Sequence, residues 1–399
     1  MSRLSLLPAH ASLYLLKNAL AIPKLLYLLR TAPCSDSTEL LQYDRALRSA
    51  LSTLLNLSLS DESWTQACLP LRWGGIGVRS GHQLAPSAFL ASAAGAAVLL
   101  STVLPSGVLS APDPAVIRAE VAWRGLGGNT LPTGSDACIQ RHWDDIICET
   151  AAGQLRVGAD KCTLARLNAS CAPDSGVWLS AIPSAPLGLN LNDTAVRVAV
   201  GLRVGAPLVL AHRCVCGAAV DKLGHHGLSC SRSSGRHLRH NLINDLTLRA
   251  LQSAGVQSMR EPPGLSRGDG KRPDGVTLIP WSRGRCLLWD ATCPDTLAPS
   301  HVMQSAVEAG TVAASAEALK STKYASLTSA HDFVPIVIET LGTWGRAGAA
   351  FIKEVGERIF SVTGEKRSTQ FLKQRLSLAV QRGNAAAILG TMTPIVEDN

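Results

Sequence analysis

Residues 271–293 read KRPDGVTLIPWSRGRCLLWDATC, and the reading of this stretch decides the fold. Two β-rich runs, Asp274 to Ile279 and Cys286 to Thr292, flank a Pro-Trp-Ser-Arg-Gly turn, the pattern of a hairpin. Halfway between Asp274 and Asp290 lies Ser282, inside that turn, so antiparallel pairing centred there sets the two carboxylates opposite each other. Carboxylates at that distance repel unless a cation sits between them. Hard oxygen ligands with open water positions are what Mg²⁺ takes when it assists phosphodiester hydrolysis. The stretch therefore reads as the core of a metal-dependent nuclease; the plainer alternative is a surface hairpin whose Pro-Asp merely starts a strand.

The rest of the chain frames that reading. Its 399 residues are 46% hydrophobic and 17% charged, enough to bury sizeable cores in two or three domains and unlike a disordered protein. The net charge of +8 and pI near 9.0 favour polyanionic partners. From Arg232 to Arg285 there are ten Lys or Arg against four Asp or Glu, so the basic segment surrounds the two aspartates and points to a phosphate backbone. DNA is the expected partner and RNA a second; no membrane and no small-molecule substrate is expected. The eleven cysteines are odd in number and scattered, which suits reduced thiols in a nuclear or cytoplasmic protein. The apolar start is broken by Arg3, Lys17, Pro23 and Lys24, unlike a secretory signal, and Ser87 to Leu104 reads as a buried helix rather than a membrane span.

Punctuation by Pro and Gly organises the chain. Residues 1–110 read as an all-α module with Leu at helical spacing, and 111–212 as a helical linker containing HWDDIICETAAGQL and NDTAVRVAVGLRV. A Cys/His segment occupies 213–231, an α/β pattern 236–363, and a polar tail, helical in part, 364–399. Within the α/β part the expectations are a helix from Leu238 to Ala254, strands at Val256 to Arg260 and Phe333 to Glu339 beside the hairpin, and an Ala-rich helix from about Val302 to Leu327.

The Cys/His segment, CVCGAAVDKLGHHGLSC, carries Cys214, Cys216 and Cys230 with His225 and His226. Three thiolates and one imidazole make a closed tetrahedral Zn²⁺ site of structural type. His226 is the chosen ligand, through H-x-x-x-C; His225 gives a loop one residue longer that also closes. The intervening loop has few large apolar residues, so the metal must supply much of its folding energy.

These residues also carry a resemblance. The Cys-Cys-His-Cys knuckle, then GRHLRHN, EPPGLSRGDGKRPDG and LLWDATCPDT, resembles the C-terminal part of non-LTR retrotransposon proteins that carry a restriction-enzyme-like endonuclease. The N-terminal third is similar to the thumb that follows the polymerase core in the same proteins, through LLYLLRTAP, DESWTQACLPLRWGGIGVRSG and LAPSAFLASAA. The likeness runs from Leu4 to about Phe360. It implies a multidomain protein: an all-α thumb-like and linker region, a zinc knuckle, then a three-layer α/β restriction-endonuclease-like domain.

Carried over residue by residue, the resemblance makes Asp274 the aspartate of the Pro-Asp motif and Asp290 the second acidic ligand, together holding catalytic Mg²⁺. Where the nuclease superfamily often has a lysine two residues after the second acid, this chain has Thr292. The lysine can instead come from the following helix, where AEALKSTKYASL offers Lys320, Lys323 and Tyr324; the two lysines lie one turn apart on one face. Arg236, Arg239, Lys271 and Arg272 are expected to position the nucleic-acid backbone, and zinc to take no part in chemistry. No aromatic-x-Asp-Asp hairpin precedes the thumb-like segment. Asp144 and Asp145 follow it and read as helix surface, so the expectation is a partial element product without polymerase activity. Two other readings keep the sequence and drop the chemistry: a nucleic-acid-binding module whose nuclease centre has decayed, and a helical interaction protein.

Overall fold

The computed structural model describes residues 2–105, 113–265 and 272–392. The described residues are mostly helical, with a two-stranded ribbon and a small four-stranded mixed sheet, and the chain forms two compact units, Met1–Ala159 and Asp160–Asn399. The stretch expected as a linker is thus divided between them.

The first unit is all helical: α1 (Ala9–Leu15), α2 (Ile22–Thr31), α3 (Thr38–Leu55), α4 (Asp61–Cys68), α5 (Gly81–Val103), α6 (Pro114–Gly125) and α7 (Gln140–Gln154). Helix α5 starts where it does because its first N–H groups find acceptors. Buried Asp44 on α3 accepts from the amides of Gly81 and His82, and the Ser80 hydroxyl accepts from Gln83. Its first half is buried, but Val98, Leu99, Leu100 and Val103 are exposed, so the expectation of a buried helix holds only for that half. By length and composition alone, Ala9–Thr31 and Gly81–Val103 could each cross a membrane. Trp123 and Trp143 meet edge to face at 5.2 Å and anchor α6 to α7. On α7, Asp145 pairs with Arg72 and Arg141, but Asp144 is buried and bound by Arg79 at 2.6 and 2.7 Å. Asp144 is therefore part of the interior; helical character alone did not reveal that an arginine reaches it from another element.

The second unit begins with α8 (Lys161–Cys171) and α9 (Asp193–Val204), continues through the short strands β1 (His212–Arg213) and β2 (Ala219–Val220) and helix α10 (His226–Ser229), and reaches the long α11 (Ser234–Ser253). Strands β3 (Ser258–Arg260), β4 (Gly275–Thr277), β5 (Leu287–Thr292) and β6 (Asp332–Val337) form a sheet in that order, antiparallel except for the parallel pair β5/β6. Between β5 and β6 lie α12 (Val302–Ser305) and α13 (Thr311–Lys323), in place of the single helix expected; Gly310, at φ 85°, breaks them apart. Helices α14 (Arg346–Thr363) and α15 (Ser368–Leu389) close the unit.

Strand alternation sorts the sheet into two faces. Leu287, Trp289, Ala291, Ile336 and Ile338 join Ile243 and Leu251 of α11, Phe351 and Val355 of α14, and Leu372, Leu376 and Val380 of α15 in one core. The opposite face, which carries Asp290, receives α13. Helix α15 is the largest departure from expectation. A region read as polar tail is a buried helix packed on α9, α11 and α14, because its polar groups are used internally: Asn384 donates to the Thr340 carbonyl at 2.7 Å.

The hairpin pairs Gly275 with Trp289 and Val276 with Leu288, a register centred on Ser282 as expected. Gly275 is required there, since a Cβ at that position would overlap the Trp289 ring. Gly275→Ala should therefore displace the indole and lower stability by about 1–3 kcal/mol, the usual cost of overpacking. Urea unfolding checks this, and an unchanged midpoint would refute the proposed contact.

Candidate metal centres

The residue before β4 is Asp274; Asp290 sits within β5 and is 2% exposed. Asp274 Oδ2 accepts the Ala291 amide at 2.7 Å and lies 3.0 Å from His240 Nε2, on the second turn of α11. The ligand atoms of His240, Asp274 and Asp290 all lie within 4.8 Å of one another. A cation with metal–oxygen distances near ~2.1 Å spans ligand atoms up to roughly 4.2 Å apart, so a small side-chain adjustment closes this set on one ion. Burial would raise Asp274, but His240, the Ala291 amide and Asn244 outweigh it and hold the carboxyl below the usual range. The same hydrogen bond, against the cost of burial, raises His240 above its ordinary value.

Both lysines reach the same carboxylate. Lys320 Nζ is 2.7 Å from Asp290 Oδ1, and Lys323 Nζ is 3.4 Å from Oδ2. Lys323 also donates to the Tyr324 hydroxyl at 2.6 Å, and that hydroxyl donates to the Arg272 carbonyl at 2.8 Å, tying the end of α13 to the chain entering β4. Thr292, two residues beyond Asp290 on β5, marks the strand position where the lysine was absent.

Helix α13 is held at its start rather than by its flanking loops. Buried Glu339 accepts the Ala313 amide, in the first turn of α13, and the Thr296 hydroxyl, both at 2.9 Å. Glu317 of α13 in turn accepts the amides of Ala347 and Gly348, in the first turn of α14. Neither carboxylate was singled out from sequence. His240 was missed as well, although HNLIN places it four residues, one helical turn, before Asn244.

The basic residues divide. Arg236 is exposed on the first turn of α11, and Arg272 is half-exposed and paired with Glu261. Lys271 lies outside the described residues. Arg239 is a correction: it is 1% exposed, donates to the Leu228 carbonyl at 2.7 Å and to Asn384 Oδ1 at 3.2 Å, and crosses α15 at Gly383. Its charge braces α10, α11 and α15 together, and no phosphate can reach it there.

The Cys/His segment forms a second cluster. Ligand atoms of Cys214, Cys216, His226 and Cys230 lie within 4.8 Å of one another, with Cys214 Sγ 3.7 Å from Cys230 Sγ and Cys216 Sγ 3.2 Å from His226 Nε2. Tetrahedral zinc with Zn–S near ~2.3 Å sets its sulfurs about 3.8 Å apart, so the four donors can hold such a metal. The C-x-C turn is made by Gly217, at φ 91°, whose amide donates to the Cys214 carbonyl at 2.7 Å. The Ala218 amide leads the effects that bring the Cys216 thiol down to about 6, which favours the thiolate a metal needs. His225 does not belong to this group of donors and is pushed down by burial, near Asp221 and Asp295. The knuckle is not a free-standing module: a Cβ on Gly227 or Gly235 would overlap the α15 backbone near Ala387.

No protein-family model matches the chain, and no curated protein matches it.

Two outcomes are expected. Because Gly227 packs directly on α15, Cys214→Ser or a strong chelator should lower the melting temperature of the whole second unit, read by the ellipticity of its helices; a melt insensitive to both would exclude a metal-dependent knuckle. Burial raises Glu339 above the unfolded value of about 4.3, so its contribution is fully present below that pH and is lost as pH rises through the raised value. Glu339→Gln removes that loss. Its stability relative to the parent should therefore increase as pH rises from about 4 through the raised value, measured by urea midpoints, and a constant difference would contradict the assignment.

Proposed function

We propose that this protein is a metal-dependent DNA endonuclease and nucleic-acid-binding fragment of the non-LTR retrotransposon type, without polymerase activity. One observation carries the reading. Asp274 and Asp290, from neighbouring strands, and His240, from a helix, bring their ligand atoms within 4.8 Å, while Lys320 and Lys323 converge on the same point from α13. A surface hairpin has no reason to bury one of two facing carboxylates and to direct two ammonium groups at it.

Mg²⁺ bound by Asp274 and Asp290 would supply Lewis acidity and an activated water. The chain's own residues do the rest. Lys320 and Lys323 place positive charge beside the metal ligands, where it can steady the attacking water or the charge that develops on the scissile phosphate. Tyr324 fixes the direction of Lys323 through its two hydrogen bonds. Arg236 and Arg272, on the described surface, favour a phosphate backbone entering beside α11 and the start of β4, with RNA a second ligand of the same kind. Zinc on the knuckle would organise structure only. The eleven cysteines, odd in number and scattered, favour a reducing, nuclear or cytoplasmic setting.

The test is nicking of supercoiled plasmid by purified protein in Mg²⁺. Asp290→Asn should reduce nicking by about 10²-fold or more, the scale of losing an electrostatic catalytic group, while DNA binding persists. Nicking unchanged by the substitution would remove Asp290 from the mechanism. Parent protein that binds DNA without nicking it would instead identify a binding module with a decayed centre.

A further inference from the structure

We propose that His240 is itself a ligand of the cation at the Asp274/Asp290 pair, and that its imidazole makes the site favour Mn²⁺ and similar transition ions over Mg²⁺. The inference rests on reading that pair as a metal centre. It goes further by naming a third ligand and the class of ion the three select.

The ring nitrogen facing the carboxylates is Nε2, 3.0 Å from Asp274 Oδ2. Its place is set by the core and not by a free surface rotamer. Asn244, one turn along α11, brings Nδ2 to 3.3 Å from the same nitrogen, and Asn244 Oδ1 accepts the Trp289 indole N–H at 3.0 Å. Trp289 is fully buried and seated over Gly275, so the chain of contacts from Gly275 to the imidazole is continuous. Asn241 also bonds the ring. With the ring so placed, a cation would take the Nε2 lone pair in place of the Asn244 amide.

Donor chemistry then decides the ion. Mg²⁺ demands near-ideal octahedral oxygen coordination and gains little from a nitrogen, whereas Mn²⁺ takes carboxylates and imidazole together and stands at the start of a series in which nitrogen donors matter increasingly. Two carboxylates and one imidazole form a mixed set. If His240 instead only oriented Asp274 by hydrogen bonding, it would touch no metal, and its removal would weaken all divalent ions alike.

The experiment titrates Mn²⁺ into the full zinc-replete chain and follows it by electron paramagnetic resonance; Mn²⁺ is a poor thiolate partner, so the knuckle does not compete. Bound Mn²⁺ in the parent should show ¹⁴N coupling in the pulsed spectrum, and His240→Asn should abolish it. The same variant should weaken Mn²⁺ binding by about tenfold or more, and Mg²⁺ binding, read by competition, by less than about threefold. Bound Mn²⁺ without nitrogen coupling, or equal loss for both ions, would overturn the proposal. Parent protein that binds no Mn²⁺, or binding that survives Asp290→Asn, fails at the earlier step and removes the metal centre itself. If His240→Asn does not fold by circular dichroism, His240→Gln takes its place, and the parent's spectrum is decisive without any variant.

Discussion

Electrostatic repulsion between two carboxylates on adjacent strands is the constraint on which the second unit turns. Asp274 and Asp290 are forced together by a hairpin whose register has no freedom, since shifting it by one residue would turn Trp289 out of the core. Each carboxylate is compensated from a different direction. Asp274 takes the Ala291 amide and the His240 ring, and Asp290 takes two ammonium groups from α13. The His240 and lysine contacts join a helix to the sheet as well as balancing charge. The arrangement of α11 and α13 on opposite faces follows from that need.

Much of this geometry was legible in the chain. The register could be read because a hairpin turn has a centre of symmetry, and Ser282 is that centre. Lys320 and Lys323 could be read because a three-residue spacing on a helix leaves both on one face. What escaped was contact between elements distant in sequence. His240 lies 34 residues from Asp274, inside a run whose arginines drew attention to charge. Arg239 looked like a surface cation because charge counts carry no information about burial; its partners come from α10 and α15. Helix α15 was misread for the same reason in reverse, since Gln374, Gln381 and Asn384 look solvated in a sequence and are buried in the fold.

Small residues explain how the Cys/His knuckle joins the sheet domain. Gly227, Gly235 and Gly383 each meet a neighbour so closely that a methyl group would not fit, and Arg239 threads the resulting gap. The knuckle, α11 and α15 thereby share one packed seam. Since α11 also carries His240, the orientation of that histidine depends on a seam that the thiol cluster helps to close.

The two carboxylate braces around α13 decide what can move its ammonium groups. Glu339 holds the helix from the end of β6, and Glu317 passes the support on to α14, whose first turn it reaches across Gly345. The helix is thus mounted like a beam on fixed bearings, the first of them steadied by the Thr296 hydroxyl in the preceding segment. Loss of either carboxylate would move both ammonium groups together relative to the sheet, whereas loss of one lysine would leave the helix in place. The place of Lys320 and Lys323 beside Asp290 is thus set by Glu339 and Glu317, and not by the strand that carries Thr292.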